Sequence, residues 1–130
     1  PISIGIKNIG SVAVQDRFWV DLFVDPTILP TRPNHTIESL GQTGLVWLLG
    51  GDSLPIQPGE TIFISLGDSN YQPQFSNFSG AIPAGTLLVA HVDSADASTD
   101  YGAIEESHEL SNGLYNNILN STSAADIIIE

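Results

Sequence analysis

Apolar and polar residues alternate over Ile2-Ser3-Ile4-Gly5-Ile6-Lys7, which puts Ile2, Ile4 and Ile6 on one face of an extended strand. Asn8-Ile9-Gly10-Ser11 ends that strand in a turn. The next strand is read over residues 18–24. Its inward set is either Phe18, Val20, Leu22 and Val24, or Trp19 and Phe23 with Asp21 outside the core. Asp25-Pro26 breaks it, and residues 26–43 read as a long loop carrying three prolines, Pro26, Pro30 and Pro33. Residues 44–49 form a continuous apolar run that predicts a buried strand. Pro58-Gly59 fits the central positions of a type II turn, where glycine supplies the positive φ. That turn feeds an alternating strand over 61–66, and Pro83-Ala84-Gly85 feeds another over 86–93. Residues 67–80 read as a polar and aromatic loop, residues 94–113 as an acidic loop, and residues 114–119 as a further strand. No ten-residue stretch carries a helical period; a single helical turn fits within 103–111. Short strands between Gly/Pro turns predict an all-β sandwich.

Composition narrows the function classes. The 130 residues suit one domain with one core. Cysteine is absent, which removes disulfides, thiolate metal sites and thiol redox chemistry. The net charge is −12, and Lys7, Arg17 and Arg32 are the only basic residues besides histidine. Nucleic-acid binding needs clustered cations to neutralise phosphates, so this chain is a poor candidate for it. No apolar run is long enough to insert through a membrane.

Candidate chemistry is sparse. Asp93, Asp96, Asp100, Glu105, Glu106 and Glu109 crowd one segment, and calcium takes six to eight oxygen ligands. Asp93, Asp96 and Glu106 are the first choices for such a site, although no EF-hand spacing is present and a solvated loop explains the cluster as well. No other cofactor is indicated. His35, His91 and His108 are widely separated, and His91 falls on the exposed face of its strand if Val92 is core. Neither a Gly-x-Ser-x-Gly elbow nor a Ser-x-x-Lys motif occurs, so no catalytic residues are assigned. Asn34, Asn77 and Asn120 each start an Asn-x-Ser/Thr sequon in an expected exposed loop, which makes glycans a candidate modification. Tyr71, Phe75 and Phe78 are expected to fold their rings over one end of the sandwich.

Several stretches in order carry a resemblance. They are Ile6-Lys7-Asn8-Ile9-Gly10-Ser11, then residues 18–26, Pro58-Gly59-Glu60, Ala90-His91-Val92-Asp93-Ser94, Glu106-Ser107-His108-Glu109, and Asn116-Asn117. Together they resemble the cell-adhesion-related domain found in bacteria, CARDB, over roughly residues 2–119. In that family the acidic pair and the Asn-Asn pair lie nearly adjacent, whereas residues 110–115 intervene here. The resemblance implies an immunoglobulin-like sandwich of about seven short strands. It also implies tandem repeats in large secreted or cell-surface proteins, hence an extracellular location.

The resemblance further implies an initial strand of the type Asp-Leu-Val-Val ahead of residues 2–6. Asp126-Ile127-Ile128-Ile129 looks like that strand at the other end. This divides the chain into a sandwich over 1–119, a polar linker over 120–124 and a C-terminal strand over 125–130. The tail has three possible places: last strand of this domain, first strand of the same domain, or first strand of a neighbour. A return within one sheet needs a parallel crossover of about a dozen residues. The linker reaches at most about 17 Å. The sequence therefore predicts that Ile127, Ile128 and Ile129 pair beside Ile2, Ile4 and Ile6 of the next copy. The expected function is a non-enzymatic subunit or repeat of an extracellular surface assembly, joined head-to-tail to copies of itself. The alternative is a monomeric calcium- or glycan-binding adhesion domain.

Overall fold

A computed structural model describes residues 2–96, 118–121 and 127–129. Among these are seven strands and two single 3-10 turns. The strands are β1 (Ser3–Lys7), β2 (Phe18–Val24), β3 (Gly44–Leu49), β4 (Thr61–Ser65), β5 (Leu88–Val92), β6 (Ile118–Ser121) and β7 (Ile127–Ile129). They form two sheets, ordered β4-β1-β7 and β3-β2-β5-β6. The chain is an all-β sandwich, as its alternation predicts. Among the described residues no helix is long and apolar enough to cross a membrane.

The sandwich core takes one face of each of β1 to β5. Ile4 and Ile6 of β1 and Ile64 of β4 meet Phe18, Val20, Leu22 and Val24 of β2. Leu45, Trp47 and Leu49 of β3 join them, with Leu88, Ala90 and Val92 of β5. Trp47 is fully buried, and its indole Nε1 donates to the Ser65 carbonyl at 2.9 Å, so the polar end of a large core ring is satisfied.

The second face of β2 is also covered, so both alternatives for its inward set are realised. Phe23, Val46 and Val89 form a smaller cluster with Ile37, and Trp19 and Leu40 pack against it. Ile37 and Leu40 come from residues 26–43, so the long loop is a lid on the outer face of the four-stranded sheet. Asp21 is therefore buried, not outside the core.

Turn chemistry follows the sequence. Gly59 has φ +80°, and the Glu60 N–H donates to the Gln57 carbonyl at 2.9 Å. Gly44 answers to a different constraint. A Cβ there would lie 2.0 Å from the Leu22 carbonyl oxygen and 2.6 Å from Ile37 Cδ1. Glycine lets the lid and β2 close together on β3.

The free edge of β3 is sealed by residues 70–78. Gly44, Val46 and Leu48 donate their N–H groups to Asn77 Oδ1, Ser76 Oγ and the Asn70 carbonyl, at 2.8, 2.9 and 2.9 Å. The Val46 carbonyl accepts from Gln72 N–H at 2.8 Å, and the Gly44 carbonyl accepts from Asn77 and Phe78. Tyr71 meets Trp47 edge-on with ring centres 5.7 Å apart, and Phe75 meets Trp19 at 5.3 Å. The aromatic segment thus lies along a sheet edge, not over the end of the sandwich.

Candidate functional site

Two places combine buried groups with an arrangement that the sandwich alone does not need. The first is the seam between β1 and β7. These strands pair in parallel, with Ile4 opposite Ile127, Gly5 opposite Ile128 and Ile6 opposite Ile129. On the receiving strand Ile4 and Ile6 are buried core residues, and Ile2 packs against the same core. The tail does dock beside residues 2–6, but in its own chain. Within one chain that place is reachable, for a topological reason. β6 lies in the four-stranded sheet and β7 in the three-stranded one. The step is between stacked sheets about 10 Å apart, not a crossover within one sheet. Five residues reach up to about 17 Å, enough for that step. A second boundary also moves: Asn120 and Ser121 belong to β6 and not to a linker.

The second place is a buried polar cluster that fastens the lid to the sheet. Asp21 on β2 and His91 on β5 are cross-strand neighbours. Asp21 Oδ2 accepts the Ile37 N–H at 2.9 Å, and Asp21 Oδ1 accepts from Ser94 Oγ at 2.7 Å. Ser94 N–H donates to the Trp19 carbonyl at 3.0 Å, and the Ser94 carbonyl accepts from Asn34 N–H at 2.7 Å. His91 Nδ1 lies 3.1 Å from the His35 carbonyl, an acceptor, so the ring proton sits on Nδ1. Backbone groups of the lid at residues 34, 35 and 37 are all held by β2, β5 and the residues just after β5.

Burial sets the protonation of this cluster. Loss of solvation raises the Asp21 pKa above the usual carboxylate value, against the two donated hydrogen bonds, which lower it. Loss of solvation lowers the His91 pKa to about 4, opposed by its bond to the His35 carbonyl. His91 is fully buried beneath the lid, which corrects its expected exposure. Alternation assigns it rightly to the face opposite Val92, but the lid covers that face. Ser94 Oγ donates directly to the Asp21 carboxylate, which joins β2 to the residues just after β5.

Asp93, Asp96 and His35 are the remaining candidates among the described residues. Asp93 is buried just past β5 with φ +56°. Asp96 donates its backbone N–H to Asn34 Oδ1 at 2.8 Å. Glu106 lies outside the described residues. Among the described residues no three His, Cys, Asp or Glu side chains gather as a metal site. His35 sits between Thr31 N–H, 3.1 Å from Nδ1, and Arg32 Nε, 3.0 Å from Nε2; a neutral ring accepts at one of the two. His108 lies outside the described residues.

The sequons differ from one another. Asn77 is exposed, with Oδ1 on Gly44 N–H and Nδ2 donating to the Gln42 carbonyl at 3.0 Å. Asn34 is half-buried with φ +68°, and its side chain is part of the lid fastening. Asn120 lies in β6, so it is not the loop position the sequence suggests. Sequence reasoning missed the Asp21–Ser94–Ile37 fastening. Its signal was an aspartate inside a strand apolar on both faces, which demands a buried partner. Comparison with known protein families, curated proteins and solved structures finds no match for this chain.

Proposed function

We propose that this chain is a non-enzymatic structural unit, a subunit or repeat of an extracellular surface assembly, whose copies join by passing β7 onto β1 of a neighbour. The observation that carries the reading is the β1–β7 seam. A short strand, joined to β6 through residues 122–126, lies parallel to β1 over the buried Ile4 and Ile6. The same register serves whether β7 comes from its own chain or another, because exchanged elements reuse the contacts of the closed form. Only the path of the connecting residues differs.

Energetics favour an exchangeable contact. Ordering a residue costs about 1–2 kcal/mol in backbone freedom. Burying an aliphatic side chain returns about 1.5–3 kcal/mol. A contact of only three paired residues offsets that cost narrowly, so the closed form is expected to open readily. Passing β7 from each copy to the next is a heterologous contact that does not close on itself, so it grows filaments. The resemblance to an extracellular repeat family is consistent with such a use. The buried polar groups support the non-enzymatic part of the reading, since Asp21, Ser94 and His91 all serve to hold the lid.

The test is complementation. A chain ending at Ser123 is expected to lose stability and to stay monomeric, and added peptide 124–130 is expected to restore the loss. Filaments formed by the shortened chain would overturn the proposal. The alternative of a monomeric calcium- or glycan-binding adhesion domain draws on the exposed Asn77 and the acidic segment. Calcium that raises the melting temperature of a strictly monomeric full chain would favour it.

A further inference from the structure

The geometry of the β1–β7 seam limits how copies can share it. β6 is the outer strand of the four-stranded sheet, with Ser121 opposite Leu88 of β5. β7 is the outer strand of the three-stranded sheet, with Ile127 opposite Ile4 of β1. Only residues 122–126 separate the two strands. Five residues reach at most about 17 Å. The place where the chain leaves β6 and the place where it enters the β1 edge therefore lie close together on each copy.

That proximity decides how an exchange ends. When one copy lays β7 on a second, its Ser121 stands within about 17 Å of the second copy's Ile4. The second copy's own Ser121 stands near the same spot, and its displaced β7 leaves from there. The nearest vacant β1 edge is that of the first copy, which has just given up its own β7. A two-fold axis relates the two steps, so one exchange brings the other with it. Magnitude separates this closure from growth. An edge presented through so short a connection has an effective concentration of about a millimolar, whereas a third copy in dilute solution is present at about ten micromolar, roughly a hundredfold less. Closure also fills both β1 edges, while a growing row always leaves one of them bare.

We propose that two copies exchange β7 reciprocally into a closed two-fold pair, each β7 lying parallel to β1 of the other in the register of the single chain. The partner is a second copy because the strand that fits this edge is β7 itself, with Ile127 and Ile129 opposite Ile4 and Ile6. It rests on the β7 passing proposed above, of which the pair is the first product. The contact is isologous, so the pair does not grow. It holds subunits out of the filament in dilute solution and gives way to growth as free copies approach the millimolar range.

The experiment places both seam cysteines in one chain, Ile6→Cys with Ile129→Cys, in a protein with no cysteine of its own. The chain is unfolded, refolded at about ten micromolar or about one millimolar, and oxidised. Products are sized under denaturing conditions, and their linkages are read by peptide mass. At the lower concentration the exchanged products are expected to be dimers with two disulfides, each joining position 6 of one chain to position 129 of the other. These should exceed all larger species by roughly tenfold or more, and longer linked rows should gain at the higher concentration. The unsubstituted chain, refolded in the same way, gives an independent reading by sedimentation velocity. Dimers are expected as the sole species above the monomer in dilute solution, and a chain ending at Ser123 is expected to give monomers only. A ladder of linked rows without the two-disulfide dimer at either concentration overturns the closed pair and leaves strand passing intact. Dimers that form without β7 also overturn the pair. Monomers alone, self-linked or unsubstituted, overturn strand passing and the pair with it.

Discussion

Lowering the pH should loosen the lid through His91, and the effect has a definite sign and size. The ring is fully buried, and its pKa falls from 6.5 to about 4 in the folded chain. Between those values the unfolded chain binds a proton that the folded chain refuses, so stability falls as pH falls. Each pKa unit is worth about 1.4 kcal/mol, and the loss amounts to about 2 kcal/mol by pH 5 and about 3 kcal/mol by pH 4. The groups around the ring are Asp21 across the strand pair, the His35 carbonyl and imidazole above it, and Asp93 and Ser94 just after β5. Asp21 acts in the opposite direction. Its raised pKa means that the folded chain holds a proton more tightly, so its contribution falls as pH rises above 3.8. Wild-type stability mixes the two slopes, and a variant is needed to separate them. His91→Asn keeps a donor near the place of Nδ1 and removes the titration. Urea unfolding of both proteins from pH 7 to pH 4 gives the difference. The variant should lose stability at pH 7, because a smaller side chain leaves space. The gap to wild type should then shrink by about 3 kcal/mol toward pH 4. A gap that does not change with pH would refute the reasoning, since it would mean that His91 protonates alike in both states.

Further outcomes follow from the same contacts. Asp21→Ala leaves the buried Ile37 N–H without its acceptor and should cost about 1–3 kcal/mol or more at pH 7. Asp21→Asn keeps an oxygen for Ile37 and turns its amide to Ser94 Oγ, so calorimetry should find it near wild type and gaining on it as pH rises above 3.8. Gly44→Ala drives a methyl into the Leu22 carbonyl. It should cost about 3 kcal/mol or more by chemical denaturation. Removing the seal with Ser76→Ala and Asn77→Ala bares the β3 edge, and light scattering on mild heating should rise faster than for wild type.

The positions of β1 to β5 were legible because each of these strands carries its own pattern. Ile2-Ser3-Ile4-Gly5-Ile6 alternates because one face of β1 is core, and Gly59 marks its turn because only that residue type sits comfortably at φ +80°. The burial of both faces of β2 was half legible. Phe18-Trp19-Val20-Asp21-Leu22-Phe23-Val24 is apolar on both sides, and the sequence offered both faces without showing that a loop covers the second. Loop coverage depends on contacts between residues 37 and 23, which no local pattern encodes. His91 was misplaced for the same reason. The tail was read correctly for its partner strand, but the argument against a return within one chain was too narrow. Linker length was weighed against a crossover within one sheet, while the real step passes between sheets. The seal at 70–78 was illegible because it uses side chains, Ser76 Oγ and Asn77 Oδ1, in place of a strand ladder.

The most direct test of strand passing uses the absence of cysteine. One chain carries Ile6→Cys and a second carries Ile129→Cys, residues that face each other in the seam. The two are unfolded together, refolded at high concentration and oxidised, and the products are separated under denaturing conditions. Passing of β7 between copies predicts a mixed disulfide dimer joining the two chains, with little of either self-linked product. Recovery of unlinked monomers alone would show that each β7 stays on its own β1, and would contradict the account.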